Sequence, residues 1–331
     1  MSLFTTPVEV TPFPWRSDHA RHHVLIGSCF TEHVGTLMTE LKFPVTVNPS
    51  GILYNPVSVA SCLRRLVSGQ PFTRDELFEH DGLWHSYSHH GRFSAPDAGE
   101  ALENINRALT LGAVSLRNAG FLLITLGTAR VYEHRATGET VANCHKVPAR
   151  EFRPYRLTVA HAVASLREAL EACWQANPSL KVILTVSPVR HNQDGPTENQ
   201  LSKAVLLLAA DALVSGYGSE RCAYFPAYEI MMDELRDYRF YQPDMVHPSP
   251  LAVEVIWEKF STSFFTPEAL RLAREIARLR QAVDHRPLHP ATKAYRLFLT
   301  RALENATRLA KNHPGLDFSA EIDYFSKQIG D

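Results

Sequence analysis

Val24-Leu25-Ile26-Gly27-Ser28-Cys29-Phe30 is the stretch whose reading decides the fold. Three apolar residues run into a glycine, and Phe30, Val34, Leu37, Met38 and Leu41 then recur at helical spacing. The order is strand, tight turn, helix. Ser28 therefore falls where a parallel strand ends and a helix begins, the carboxyl edge at which open α/β sheets bind ligands. A helix N-terminus there offers unpaired N–H groups and a partial positive charge. A serine at that point serves either as a nucleophile exposed at the sheet edge or as an N-cap, a position for which serine is a preferred residue.

The same strand grammar repeats along the chain. Phe43–Val47 reads as a short second strand that ends in the turn cluster Asn48-Pro49-Ser50-Gly51. A helix follows from about Pro56 to Leu66. Gly120–Thr128 and Leu180–Pro188 are apolar runs of the kind found in central strands buried on both faces. Cys222–Pro226 is a fifth short strand. Helices are expected from about Ala98 to Leu111, Leu157 to Gln175, Leu201 to Ala212 and Leu251 to Phe264. Five strands alternating with helices call for a parallel sheet with helices on both faces, a three-layer α/β/α sandwich. Residues 68–99 break the pattern. They are rich in histidine, glycine and aromatics, suggest a small hairpin near Leu83–Tyr87, and read as an insertion beside the sheet edge. Val131–Ala142 reads as a further hairpin, followed by a proline- and arginine-containing loop to about Tyr155. The expected division is 1–265 for the α/β domain and 266–331 for a helical extension. In that extension Tyr295, Leu299, Ala302, Ala306 and Leu309 form one apolar stripe, which either packs on its own domain or serves as a homodimer arm.

Composition narrows the function classes. The 331 residues carry a net charge of -1 and are 45% hydrophobic, as suits a globular protein with a real core. Nothing in that balance predicts nucleic-acid or membrane binding. No apolar run is long enough to span a bilayer, and the first residues lack a signal pattern, so a cytoplasmic location is expected. Five cysteines without a CxxC read as free thiols. A metal reading would draw on His80, His85, His89 and His90 or on His19, His22 and His23. No ligand-spaced motif supports it, and neither a metal nor another cofactor is expected.

Asp244-x-x-His247, in a proline-flanked loop before a late helix, is the second feature with chemical content. A serine hydroxyl is a poor nucleophile until a base takes its proton, and the base needs a third group to set its tautomer. One short loop supplies both the base and its orienting acid.

With these residues in place, the chain resembles the GSCFA-domain family, which is related to the SGNH (GDSL-like) hydrolases. Gly27-Ser28-Cys29-Phe30 carries the resemblance, together with Asn48–Gly51, Tyr54-Asn55-Pro56, Leu126–Ala129, Asn143–Lys146, Ser187–His191, Tyr228-Glu229 and Asp244–Pro248. It spans about Val24 to Phe264. The resemblance implies a flavodoxin-like, SGNH-type sheet and a Ser28–His247–Asp244 triad. It implies an oxyanion hole from the N–H groups of Ser28 and of Gly51, with Ser50 or Asn48 as alternatives to Gly51, and Thr128, Asn143, His145, Arg190 or His191 as stand-ins for the third donor. That third donor is where the chain departs from the superfamily: Ala129 occupies the position of the usual asparagine. Asn48, Ser50, Asn143, His145, Arg190 and His191 are the expected substrate contacts. Cys29 is the rival nucleophile, placed about one residue further round the turn, and in this reading it packs beneath the site. The implied activity is ester hydrolysis or O-acyl transfer on an acyl group, acetyl above all, of a carbohydrate or related small molecule. The alternative is a non-catalytic glycan or nucleotide-sugar binder on the same scaffold.

Overall fold

The computed structural model describes residues 5–191, 193 and 195–330. In chain order it runs β1 (His23–Gly27), α1 (Cys29–Glu40), β2 (Val45–Val47), α2 (Pro56–Ser68), β3 (Phe78–His80), β4 (Leu83–His85), α3 (Ala98–Asn118), β5 (Phe121–Leu126), β6 (Arg130–His134), β7 (Thr140–Val141) and β8 (Phe152–Arg156). Then follow α4 (Val159–Ala176), β9 (Lys181–Val186), α5 (Pro196–Tyr217), β10 (Cys222–Phe225), the single turn α6 (Ala227–Glu229), α7 (Pro250–Phe264), α8 (Pro267–Asp284), α9 (Lys293–Asn312) and α10 (Ser319–Gly330).

The central sheet has the order β2-β1-β5-β9-β10, and every pairing is parallel. Numbered by sheet strand this is 2-1-3-4-5, the flavodoxin-like order, which places the topological switch point between β1 and β5. The two-residue period of the strands divides the core. Val24 and Ile26 of β1 pack with Ile124, Leu184 and helices α2 to α5 on one face. Leu25 packs with Leu123, Ile183, Phe225 and helices α1 and α7 on the other.

Two small sheets surround this centre. The insertion forms the β3–β4 hairpin, turning at Asp81-Gly82, and β6, β7 and β8 form a three-stranded antiparallel sheet. β8 was expected to be loop. Pro154 sits inside it, and the strand tolerates a residue without an N–H because it pairs on one side only, with β6. Helices α8 to α10 gather their own apolar cluster around Leu272, Ile276, Leu299, Leu309, Phe318 and Phe325. The stripe residues Leu299, Ala302, Ala306 and Leu309 are buried in this cluster, against helices of the same chain. Lys42–Glu321, at 2.8 Å, and the Arg280–Glu40 pair tie these helices to α1 and its exit. Among the described residues no helix is long and apolar enough to cross a membrane.

Candidate active site

The β1–α1 turn is tight because of Gly27. A Cβ there would lie 2.2 Å from the Thr125 carbonyl oxygen, at a φ of +152°. The glycine lets β1 and β5 stay paired up to the turn. Ser28 takes the N-cap position of α1, yet its hydroxyl makes no capping bond. The residue is 1% exposed and its Oγ has no hydrogen-bond partner. Cys29, the next residue, opens α1 and is partly exposed.

Asp244 and His247 meet as their spacing requires. His247 Nδ1 and Asp244 Oδ2 are 2.6 Å apart. The other carboxylate oxygen, Oδ1, accepts the N–H groups of Val246 and His247 at 2.9 and 3.0 Å. These bonds hold the Asp244 carboxyl down at about 2, below the ordinary carboxylate range. Met245 adopts a φ of +57° to close the turn. The loop is fastened at both flanks: Gln242 N–H donates to the His247 carbonyl at 2.8 Å and Arg190 N–H to the Val246 carbonyl at 3.3 Å. The imidazole is thus oriented from Nδ1, which leaves Nε2 outside the Asp244 bond, the tautomer a general base needs. Burial lowers the His33 imidazole on α1, and the His247 charge acts in the same direction.

The three groups expected to form the oxyanion hole are engaged elsewhere. Ser28 N–H donates to the Thr125 carbonyl at 3.1 Å, continuing the strand ladder. Gly51 N–H closes a turn onto the Asn48 carbonyl at 2.8 Å. Thr128 N–H donates to the Tyr54 carbonyl at 2.9 Å, and its hydroxyl is 2.9 Å from Ser202 Oγ while accepting Arg130 N–H at 3.0 Å. That expectation is corrected: strand pairing and turn closure use the donors. Burial pushes the Cys29 thiol up, and the Phe30 and Cys29 N–H groups at the start of α1 act in the opposite direction.

The expected substrate contacts divide. Asn48 is fully buried. It accepts Gly27 N–H at 2.9 Å and donates to Glu32 at 3.2 Å, so it braces the turn and is closed to a ligand. Ser50 pairs its hydroxyl with Cys62 Sγ at 3.3 Å. His145 is buried in the insertion wall, its Nε2 2.8 Å from the Ser86 carbonyl, and burial lowers it to about 4. Asn143 accepts the His145 N–H at 2.9 Å. Arg190 and His191, by contrast, lie at the β9 exit beside the Asp244–His247 loop. The His191 ring meets Tyr54 edge-on at 5.3 Å. Arg190 joins Tyr228, Tyr238, Tyr241, Met245 and Arg236 around a groove of about 770 Å³.

The histidines of the metal reading do not converge. His19, His22 and His23 sit at the start of β1, the edge opposite the turn. His85 pairs with Ser94 Oγ at 2.6 Å and His89 with Ser86 Oγ at 2.9 Å. Among the described residues no three His, Cys, Asp or Glu side chains are placed to hold a metal.

Two residues matter here that sequence reading passed over. Glu32, on α1, accepts from both Asn48 and Arg92, and so ties the insertion to the turn. Lys203 on α5 is 1% exposed and donates to the Gly127 and Ser187 carbonyls, each at 2.7 Å. Burial lowers its ammonium to about 7. The signal for Lys203 was available: Asn199, Lys203, Leu206, Ala210 and Leu213 share the buried side of α5.

Residues 22–260 match the GSCFA family. The chain belongs to the GSCFA family. Residues 276–331 match the C-terminal domain of GSCFA domain proteins, which covers the second half of α8 and all of α9 and α10. No curated protein matches this GSCFA chain. Among solved structures, it is similar to a carbohydrate esterase family 3 protein from Talaromyces cellulolyticus at 10% identity and a TM-score of 0.37, over 77% of this chain and 99% of that one. It is also similar to the acetyl xylan esterase Est2A from the rumen bacterium Butyrivibrio proteoclasticus at 12% identity and a TM-score of 0.38, over 78% of this chain and 64% of that one. The fold assignment rests on the GSCFA chain's own strand order and register.

Proposed function

We propose that this GSCFA protein is an ester hydrolase or O-acyltransferase that works through an acyl-enzyme. The observation that carries this reading is the Asp244–His247 pair, held in a loop fastened by backbone bonds at both flanks, one of them to Arg190 at the β9 exit. His247 is the general base, Asp244 orients it, and the Ser28-Cys29 turn supplies the nucleophile. The acyl group goes on to water or to a hydroxyl of a second substrate. The groove beside the loop suits a carbohydrate ester. Tyr228, Tyr238 and Tyr241 offer flat apolar faces to sugar C–H groups, and Arg190 and Arg236 offer donors to oxygens.

Steady-state cleavage of acetylated monosaccharides tests the reading. His247→Ala and Asp244→Asn should each lower turnover about 10²–10⁴-fold, the range a positioned acid–base group contributes. Turnover unchanged in both would refute it. The engaged oxyanion donors favour one second reading, a glycan binder without chemistry. It predicts saturable binding with no turnover, unaltered by either substitution.

A further inference from the structure

Arg190 stands where the chain leaves the sheet. β9 gives way to Ser187-Pro188, Val189 is buried, and the Arg190 N–H donates to the Val246 carbonyl at 3.3 Å. That bond fixes its backbone beside the residue that precedes His247. The half-buried Arg190 side chain lines the groove of about 770 Å³, and so does Met245 of the base-bearing loop. The groove therefore adjoins the Asp244–His247 loop.

The charges of this groove do not balance. Arg190, Arg236 and Asp237 are the charged side chains that line it. Arg236 is met by Asp233 at 2.7 Å, and Asp237 by Arg239 at 3.6 Å. Among the described residues no carboxylate pairs with Arg190. Its Nη1 donates to Met232 Sδ, a weak acceptor, at 3.6 Å. Burial raises the Tyr241 hydroxyl, and a bond from the Arg190 side chain opposes the rise. Both of these partners are neutral. A guanidinium carries five N–H donors in a planar fork that matches the paired oxygens of a carboxylate or a phosphate. Tyr228, Tyr238, Met231 and Met232 make much of the wall apolar, where a charge and its counter-charge attract more strongly than in open water. A neutral sugar hydroxyl would answer one donor and leave the charge uncompensated.

We propose that the groove takes a sugar ester bearing an anionic group, a carboxylate or a phosphate, and that Arg190 is the specificity-determining residue that receives that group. The inference rests on the ester chemistry proposed above for its reaction, while the binding is measured without turnover. Arg190 binds and orients the substrate and takes no part in the proton transfers.

The test compares three sugars that differ only at C6: methyl glucoside, methyl glucuronoside and methyl glucoside 6-phosphate. Isothermal titration of the full chain should show the carboxylate or the phosphate bound about 10- to 100-fold more tightly than the neutral sugar, the worth of a charge-assisted pair over a neutral bond. Whichever binds more tightly names the anion. Arg190→Gln should bring the ratio of anionic to neutral affinity close to one. Arg190→Lys, which keeps the charge and loses the fork, should retain part of it. The ratio is read within each protein, so a general weakening of a variant does not imitate the result. No binding of either anion, equal affinity for all three sugars in wild type, or a ratio that survives Arg190→Gln overturns the proposal. Phenylglyoxal modification mapped by peptide mass needs no substitution. The tighter anion should shield the Arg190 peptide of wild type and methyl glucoside should not, and equal modification with and without that anion removes Arg190 from the site. The mono-O-acetyl esters of the same three sugars then read the reaction, and acetate release should follow the same order, with the preference carried by KM. Acetate release from none of them, with the anion bound at Arg190, overturns the acyl-enzyme reading and leaves the anion site standing. Release without preference for the anionic esters overturns the anion site and leaves the acyl-enzyme reading intact.

Discussion

Acid should loosen this protein at His23 before its carboxylates are all protonated. His23 opens β1, is 0% exposed, and is enclosed by the rings of Phe43, Phe121, Phe264 and Phe265. Nδ1 lies 3.0 Å from the Pro44 carbonyl and Nε2 lies 2.7 Å from Ser17 Oγ. A neutral ring with its proton on Nδ1 satisfies both: Nδ1–H donates to Pro44, and Nε2 accepts from Ser17. Burial lowers this histidine from 6.5 to about 4. Its folded pKa lies below its unfolded one, so between about pH 6.5 and pH 4 the unfolded chain binds a proton that the native state refuses. The stabilisation is complete above that window and is lost as pH falls through it. A shift of about 2.5 units at about 1.4 kcal/mol per unit gives about 3 kcal/mol. Urea unfolding of wild type and His23→Gln across this range isolates the effect, because His89 and His145, lowered to about 3 and about 4, act equally in both proteins. The stability gap between the two should shrink by about 3 kcal/mol from neutral pH to about pH 4. Two curves that stay parallel would refute the reasoning.

Other expectations follow from single contacts. Gly27→Ala should destabilise by at least about 2 kcal/mol in denaturant unfolding, since the new Cβ overlaps the Thr125 carbonyl at a backbone angle that disfavours a side chain. Leu309→Ala, in the apolar cluster of the C-terminal helices, should cost about 2–5 kcal/mol, and limited proteolysis should show cleavage concentrated in α8 to α10.

Much of the fold was legible because the strands announce themselves. Phe121–Leu126 and Lys181–Val186 are apolar on both faces, as central parallel strands must be, and Gly27 marks where β1 stops. The end of α3 was not. The expected helix stopped at Leu111, before Gly112, but the helix runs on to Asn118. Gly112 is there for close packing: a Cβ would meet Leu66 and Pro49, each at 2.8 Å. β8 was hidden by Pro154, which is tolerated only because the strand is paired on one side. At the site, Asp-x-x-His was readable because four consecutive residues of one loop suffice to build the pair. The oxyanion donors were misjudged because an N–H at the right place in sequence carries no sign of the carbonyl that uses it. Ser28 and Cys29 differ in exposure, which a one-residue step round a turn decides and a linear pattern does not record. The burial of Lys203 was readable from its place on the apolar side of α5, but the two carbonyls it bonds carry no signal in helical spacing.

The central claim, an acyl-enzyme formed with His247 as base, is tested most directly by intact mass after brief exposure to p-nitrophenyl acetate and acid quench. Wild type should gain one acetyl group and His247→Ala none. Equal acetylation of both proteins, or none on a folded wild type, would contradict the account.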